Sequence, residues 1–366
     1  MGIRCGIIGL PNVGKSTIYN ALTRSGVEVA NYPFCTIDPN IGSVAVPDKR
    51  LSVFTDMTHI EKVIPSFVEF VDIAGLVAGA SKGEGLGNQF LGNIRETDAI
   101  VHVVRCFENN DIAHVSENID PVNDIEIINT ELLLADIQTV EKNYVRAEKQ
   151  SKAAQQGDIE KRDFLKKLLE HLNKFLPARN FILDDEKTDF WMKELHLLSA
   201  KPTLYVANIN EENVHSGNDF TVQVQEYLGH NQDFELITMC GALESELSQI
   251  EGEEQIEFLK DLELEEPALE RLIQSCYTLL GLQTFFTTRP GEVRSWPVKV
   301  KTKAPQAAGL IHSDFERGFI SAEVIPYRDY VELGGEQACK TAGKLRLEGK
   351  DYIVREGDVI HFRFNV

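Results

Sequence analysis

Residues 3–17 read I-R-C-G-I-I-G-L-P-N-V-G-K-S-T, an apolar run followed by a loop that contains glycines. Ile3 to Ile8 predicts a short buried strand, G-x-x-x-x-G-K-S runs from Gly9 to Ser16, and Thr17 to Thr23 continues as a helix. Glycines in such a loop direct successive backbone N–H groups into one concavity, and the helix N-terminus adds partial positive charge. The stretch therefore predicts a nucleotide-binding site.

Two side chains of this loop have predicted roles at the phosphates. Lys15 would reach the β- and γ-phosphates, and the Ser16 hydroxyl would sit on Mg²⁺, which is the expected cofactor. The predicted nucleotide contacts within the loop are Asn12, Val13, Gly14, Lys15, Ser16 and Thr17.

The composition is that of an ordinary globular protein. A chain of 366 residues with 43% hydrophobic residues predicts two or three domains. It has no apolar run that approaches the length of roughly 18 residues needed to cross a bilayer, and its N-terminal residues lack a signal-peptide pattern. Six scattered cysteines without a C-x-x-C pair indicate reduced thiols. We therefore expect a cytoplasmic protein with no membrane partner.

The net charge of −20 argues against a protein that coats nucleic acid, but the charge is uneven. Residues 281–366 hold 13 Lys and Arg against 11 Asp and Glu, whereas the rest of the chain holds 24 against 46. A surface that faces a polyanion is therefore expected in residues 281–366 or in a local cleft.

Two further segments supply candidate metal and γ-phosphate contacts. Thr36 lies in a turn-rich stretch, residues 31–40, and its hydroxyl could complete Mg²⁺ coordination on a mobile loop. An ordinary surface threonine remains the alternative. Ser66 to Ile73 alternates as a strand and leads into D-I-A-G, in which Asp72 would hold Mg²⁺ through water and the Gly75 N–H would contact the γ-phosphate.

The residue that orients the attacking water is not obvious. Leu76 stands where Ras-like enzymes have a glutamine, and leucine offers no hydrogen bond. His114 lies in the polar stretch 107–123 and could swing toward the γ-phosphate as a catalytic residue. A solvent-exposed histidine without function is the open alternative. His102, on the apolar strand 99–106, is interpreted as a packed structural histidine.

A helical insertion interrupts the α/β pattern. Leu133, Ile137, Val140 and Tyr144 recur at spacings of three or four. A second stripe consists of Phe164, Leu168, His171, Leu172 and Phe175. These stripes predict two long antiparallel helices that form a coiled-coil-like arm.

The α/β pattern resumes with a strand at 202–208 that ends in N-I-N-E. Ras-like GTPases have N-K-x-D there, so Ile209 replaces the lysine and Glu211 replaces the aspartate that accepts from guanine. Asn208 could still offer its amide to N6 and N7 of adenine. We therefore predict ATP rather than GTP as the preferred nucleotide.

Taken with the C-terminal blocks A-G-L-I-H-S-D-F-E-R-G-F-I-S-A-E-V (308–324) and E-G-D-V-I-H-F-R-F-N-V (356–366), these motifs resemble the YchF family of Obg-like ATPases. The resemblance covers essentially the whole chain. It implies an α/β Ras-like P-loop NTPase domain at 1–128 and 197–280 and a helical coiled-coil insertion at 129–196. Residues 281–366 would form a TGS domain, an α+β ubiquitin-like β-grasp.

The resemblance also implies ATP preference, slow intrinsic hydrolysis and ribosome association, and it places the family's catalytic candidate at His114. Asn12 is similar to the asparagine that holds K⁺ in cation-activated relatives, so K⁺ is a candidate second ion. The fifth motif, C-G-A, departs from the usual S-A-K type, and base contacts from Gly241 and Ala242 would come from their backbone donors. Whether bare RNA binds is left open.

Three hypotheses follow. The first is a regulatory ATPase whose nucleotide state changes its interaction with the ribosome. In it, Mg·ATP is held by Lys15, Ser16, Thr36 and Asp72, the Gly75 N–H contacts the γ-phosphate, and either His114 or a partner orients the water. The second is a nucleotide-sensing interaction module that hydrolyses almost nothing, which Leu76 favours. The third is a GTPase.

Overall fold

The computed structural model describes residues 3–25, 40–58, 62–73, 86–109, 118–151, 156–183, 185–229 and 235–365. Four residues with predicted roles, Thr36, Gly75, Leu76 and His114, lie outside the described residues.

The chain divides into two compact units. The first contains Ile3–Gly42 and Glu69–Arg271, and the second contains Ser43–Val68 and Leu272–Val366. The three domain boundaries given above stay a prediction.

The described residues form twelve strands: β1 Arg4–Ile8, β2 Ile41–Ala45, β3 Lys62–Ile64, β4 Phe67–Asp72, β5 Ala99–Arg105, β6 Thr203–Asn208, β7 Leu236–Met239, β8 Leu282–Arg289, β9 Glu292–Lys299, β10 Phe319–Pro326, β11 Arg346–Glu348 and β12 Asp358–Phe364.

They also form fourteen α-helices: α1 Lys15–Ser25, α2 Lys49–Thr58, α3 Leu86–Arg95, α4 Pro121–Ser151, α5 Gln156–Leu172, α6 Glu186–Leu195, α7 Asp219–Gly229, α8 Gly241–Leu247, α9 Glu253–Asp261, α10 Ala268–Leu279, α11 Ala304–Ile311, α12 Ser313–Arg317, α13 Tyr327–Leu333 and α14 Glu336–Thr341.

The first sheet has the strand order β2-β4-β1-β5-β6-β7. β1 pairs in parallel with β4 and β5, and β6 pairs in parallel with β5 and β7. All residues of β5 and β6 are buried, which explains their nearly continuous apolar sequences. The chain order reverses beside β1, and ligands of such sheets bind outside the carboxyl ends of the strands at that point. The loop after β1 opens at this edge.

The helices α4 and α5 pack against each other through buried apolar side chains. On α4 these side chains include Leu133, Val140 and Ala147, which are spaced by seven residues. A seven-residue repeat keeps one face of a helix against its partner. The apolar stripe predicted for this helix is therefore present.

The stripe predicted for α5 is correct in part. Phe164, Leu168 and Leu172 are buried in the same cluster. Phe175 is 67% exposed instead, so its predicted place in the stripe is wrong. The reason is that α5 ends at Leu172 and Phe175 has a φ of +58°, which helical residues do not adopt.

Asp136, on α4, is a fully buried carboxylate that connects this helix to the segment before β6. Oδ1 accepts from the Leu198 N–H at 2.8 Å, and Oδ2 accepts from the Ser199 N–H at 2.7 Å and the Ser199 hydroxyl at 2.6 Å. Burial raises the pKa of Asp136, and these hydrogen bonds oppose that rise. We call this arrangement the Asp136 clamp.

The second sheet has the order β11-β10-β12-β8-β9-β3. β8 and β9 form an antiparallel hairpin, β12 lies parallel to β8, and β10 lies antiparallel to β12. The alanines of α11 pack with Phe285 and Phe362 in one core. This is a small α+β module, as predicted.

Among the described helices, none combines the length and apolar character that a bilayer span needs.

The Asp136→Ala variant should lower the free energy of unfolding by about 2–4 kcal/mol, because two buried N–H groups and a hydroxyl lose their acceptor. Urea unfolding followed by circular dichroism measures this change. Glu141→Ala, at an exposed position of the same helix, is the control and should stay within about 0.5 kcal/mol of the parent protein. Equal unfolding midpoints for the two variants would contradict the prediction.

Candidate nucleotide-binding site

The loop between β1 and α1 has the backbone of a phosphate-binding loop. Gly9 and Gly14 have φ values of +155° and +99°, and Asn12 has +62°. A Cβ on Gly9 would lie 2.5 Å from the Val103 carbonyl oxygen, so the loop passes too close to β5 for any side chain there. The helix begins directly after this turn, and the Ile18 N–H donates to the Gly14 carbonyl at 3.0 Å.

Lys15 is held inside the loop. Its side chain is 7% exposed, and Nζ donates to the Leu10 carbonyl at 2.7 Å. Burial lowers the pKa of Lys15 to about 8, although the Asp72 carboxylate opposes this. The bond to Leu10 holds the ammonium group inside the loop. A phosphate bound there would replace this single carbonyl partner with several anionic oxygens.

Ser16 and Asp72 meet at the ends of two neighbouring strands. The Ser16 hydroxyl donates to Asp72 Oδ2 at 3.1 Å. Asp72 Oδ1 is buried and has no hydrogen-bond partner among the described residues. Hydroxyl and carboxylate oxygens are ligands that Mg²⁺ accepts, usually together with water and substrate phosphates. The pair therefore fits a magnesium ion, and Thr36 and Gly75, the other predicted contacts here, lie outside the described residues.

Asn208, the last residue of β6, joins the loop to α8. Its side chain is 6% exposed. Nδ2 donates to the Val13 carbonyl at 2.8 Å, and Oδ1 accepts from the Gly241 N–H at 2.9 Å. A primary amide has two N–H groups and two acceptor lone pairs, and these two bonds use one of each. The predicted contact of Asn208 with adenine stays a prediction, but the structure adds a positioning role that the sequence did not indicate.

The other predicted base contacts differ in exposure. Ile209 is 2% exposed, and its N–H donates to the Met239 carbonyl, so its side chain belongs to the core. Glu211 is exposed on a short 3₁₀ helix, Glu211–Asn213. Gly241 is the buried first residue of α8, and Ala242 is exposed beside it. These positions follow β6 and β7 at the same sheet edge as the loop.

Sequence reasoning missed the carbonyl groups that hold this site together. The oxygens of Leu10 and Val13 anchor Lys15 and Asn208, and a backbone acceptor has no residue-type signal. His102 agrees with its prediction: it is 2% exposed and lies against Tyr205, with ring centroids 5.2 Å apart. Burial, helped by the charge on Lys15, lowers the pKa of His102 to about 3, so the ring is neutral.

A phosphate-binding loop, a buried lysine and a Ser–Asp pair at the edge of a parallel sheet define a P-loop nucleotide-binding protein. The family model of a 50S ribosome-binding GTPase matches residues 4–140. The model YchF-GTPase_C, described as a protein of unknown function, matches residues 282–365.

Full-length relatives identify the family. The ribosome-binding ATPase YchF of Haemophilus influenzae is 52% identical over 366 residues, and that of Bacillus subtilis is 51% identical over 368. Each match covers 100% of both chains. The structure of the Schizosaccharomyces pombe YchF GTPase is 37% identical, has a TM-score of 0.89 and covers 99% of this chain and 98% of that chain. The chain belongs to the YchF family, which confirms the resemblance and the fold class predicted from the sequence.

The Gly14→Ala variant should weaken binding of a fluorescent ATP analogue by about tenfold or more. Its Cβ would lie 2.2 Å from Asn208 Nδ2 at a φ of +99°, so either the loop or the amide must move. Gly252→Ala is the control, because Gly252 also has a positive φ, +64°, but no atom lies within 4 Å of the place that its Cβ would take. It should retain the parent affinity. Unchanged affinity in Gly14→Ala would mean that the contact with Asn208 is dispensable for binding.

Proposed function

We propose that this chain is a ribosome-binding ATPase that binds and slowly hydrolyses Mg·ATP, and that its nucleotide state changes its interaction with the ribosome. The observation that carries the proposal is the full-length match, above 50% identity, to proteins named ribosome-binding ATPase YchF. The phosphate-binding loop, in which Lys15 is buried and Ser16 lies beside Asp72, supports binding and hydrolysis of a nucleotide at this site.

The phosphate contacts follow from the loop. Lys15 exchanges the Leu10 carbonyl for β- and γ-phosphate oxygens, and the loop N–H groups from Asn12 to Thr17 bind the remaining phosphate oxygens. Ser16, Asp72 and Thr36 would hold Mg²⁺, which when bound neutralises charge that develops on the phosphates. The unpartnered Oδ1 of Asp72 supports this assignment. Gly75 would donate its N–H to the γ-phosphate.

Water activation is assigned to His114, because Leu76 offers no hydrogen bond at the glutamine position. Asn12 is exposed at the loop and would hold K⁺, a cation that offsets charge in place of an arginine finger. We expect slow hydrolysis by the protein alone, because the phosphate-binding loop itself supplies neither a group that activates water nor a fixed positive charge in place of an arginine finger.

ATP is proposed as the preferred nucleotide. Ile209 is buried and presents no lysine stem to a purine ring, and Glu211 replaces the shorter aspartate. The second candidate is a GTPase, which is favoured by the match to the 50S ribosome-binding GTPase model and by the description of the Schizosaccharomyces pombe protein as a GTPase. We also propose a cytoplasmic location, because a ribosome-binding protein would meet its partner there.

Single-turnover hydrolysis tests the function. ATP should be hydrolysed slowly by the protein alone, about tenfold or more faster with ribosomes and K⁺, and not at all after removal of Mg²⁺ by EDTA. Na⁺ in place of K⁺ should return the slow rate. Phosphate release from radiolabelled ATP measures each condition.

The controls separate the alternatives. ATP should displace a fluorescent nucleotide at lower concentration than GTP, and the reverse order would favour the GTPase. If no condition releases phosphate but the protein still co-sediments with ribosomes, the result would favour an interaction module that binds nucleotide without hydrolysing it. The Lys15→Ala variant serves as the control for contaminating ATPases.

The His114→Ala variant should lower the hydrolysis rate by about 10²-fold or more while ATP affinity stays nearly unchanged, because a water-orienting group acts in the transition state and not in binding. His361→Ala, at an exposed position of β12, is the matched control and should hydrolyse ATP at the parent rate. Equal rates in the two variants would return His114 to an exposed histidine without a catalytic role.

A further inference from the structure

A cavity of about 530 Å³ lies in the first unit between α4, β6, α7 and residues 175–180. Arg179 reaches Thr203, the first residue of β6, whereas Asn208 is its last residue. At about 3.3 Å per residue these two ends are roughly 16 Å apart. The cavity is therefore separate from the nucleotide site. Its volume lies within the range of small-molecule sites, about 300–1,000 Å³.

The floor of the cavity is polar. The Arg179 guanidinium donates to the Ser199 carbonyl and to Thr203 Oγ1, both at 3.4 Å. It also hydrogen-bonds the hydroxyl of Tyr205, which is 1% exposed. Asn129 hydrogen-bonds the hydroxyls of Tyr205 and Tyr227, and both tyrosines line the cavity. Arg179 therefore brings a planar guanidinium, a group whose N–H donors form a fixed fork, to the lining of the cavity.

The guanidinium is held in position before any ligand arrives. The Arg179 N–H donates to the Ser199 carbonyl at 3.2 Å, and the Ala178 N–H donates to the Ser199 hydroxyl at 3.0 Å. Ser199 is itself fixed by the Asp136 clamp. His171 Nε2 and the Pro177 carbonyl lie 3.0 Å apart and hold the start of the same segment. Such a fixed donor loses little freedom on binding.

The walls and the mouth of the cavity are apolar. Leu132, Leu133 and Leu228 form buried parts of the wall. Phe175 and Leu176 stand at the mouth and are 67% and 42% exposed. Sixteen large hydrophobic side chains are exposed among the described residues, and these two adjacent ones border this opening. Apolar side chains beside a cavity are available to cover the apolar part of a ligand.

We propose that this cavity binds a small anion, a carboxylate or a phosphate monoester, carried on a small apolar body. The planar fork of Arg179 matches the two oxygens of such a head group, and the leucines and Phe175 cover the body. Glu126 is the acidic residue of the lining, and it is exposed at the rim, where water and salt screen it. The inference is independent of the proposed ATPase activity.

Ligand-observed NMR on the full chain tests the site with three probes: benzoate, phenyl phosphate and uncharged benzamide. Both anions should bind with a dissociation constant of about 1 mM, which suits ligands of about ten non-hydrogen atoms. Benzamide should bind about tenfold more weakly. The stronger of the two anions identifies the head group that the site prefers.

Two variants locate the binding. Arg179→Gln should weaken both anions about tenfold and leave benzamide within about twofold. Phe175→Ser should weaken all three probes about threefold, since it removes apolar wall. A thermal melt reports whether Arg179→Gln is folded. If it is not, Phe175→Ser still tests the site, because replacing an exposed side chain should leave the fold intact.

Lys15→Ala serves as the control for binding at the phosphate-binding loop, and anion binding with a dissociation constant of about 1 mM should persist in this variant. Three outcomes would overturn the proposal: anions that bind no better than benzamide, binding that survives in a folded Arg179→Gln variant and in Phe175→Ser, or anion binding that disappears in Lys15→Ala.

Discussion

The buried amide of Asn208 donates one hydrogen bond and accepts another, and these two bonds hold the nucleotide site together. One reaches the Val13 carbonyl, 195 positions away in the chain, and the other receives the Gly241 N–H at the start of α8. A buried amide must find partners for both its ends, so the end of β6 fixes the loop and α8 in one arrangement. Gly14 permits this approach because the amide nitrogen occupies the space where a Cβ would stand. The loop is therefore shaped by tertiary contacts as well as by its glycines.

A second set of long-range hydrogen bonds organises the opposite end of β6. The Asp136 clamp fixes Ser199, and Ser199 fixes the backbone and the guanidinium of Arg179. The carboxylate is completely buried, and its three donors compensate much of the cost of burial. The two ends of one strand thus border two different concave sites, the nucleotide site and the cavity beneath α4 and α7. Both depend on buried polar groups whose partners lie far away in sequence.

Much of the fold could be predicted because the signals are local. The strand, glycine-rich loop and helix of residues 3–23 are contiguous, and the apolar runs of β5 and β6 and the repeat on α4 are periodic. The family predicted from these motifs is confirmed by full-length relatives. Periodicity failed at Phe175, where the helix had already ended and the backbone adopts a positive φ. It also could not indicate that Lys15 bonds the Leu10 carbonyl, because carbonyl groups are the same in every residue.

By itself, the sequence determined that a phosphate-binding loop stands between a strand and a helix and that α/β and helical regions alternate. It also put a hydroxyl, Ser16, and a carboxylate, Asp72, in the two segments for which Mg²⁺ ligands are predicted. These properties reside in residue types at short spacing. The tertiary structure alone decided that Ser16 meets Asp72 at 3.1 Å, that the Asn208 amide is shared between two distant segments, and that Arg179 lines a cavity. Such contacts join residues tens to hundreds of positions apart, and only the packing of the whole sheet brings them within hydrogen-bonding distance.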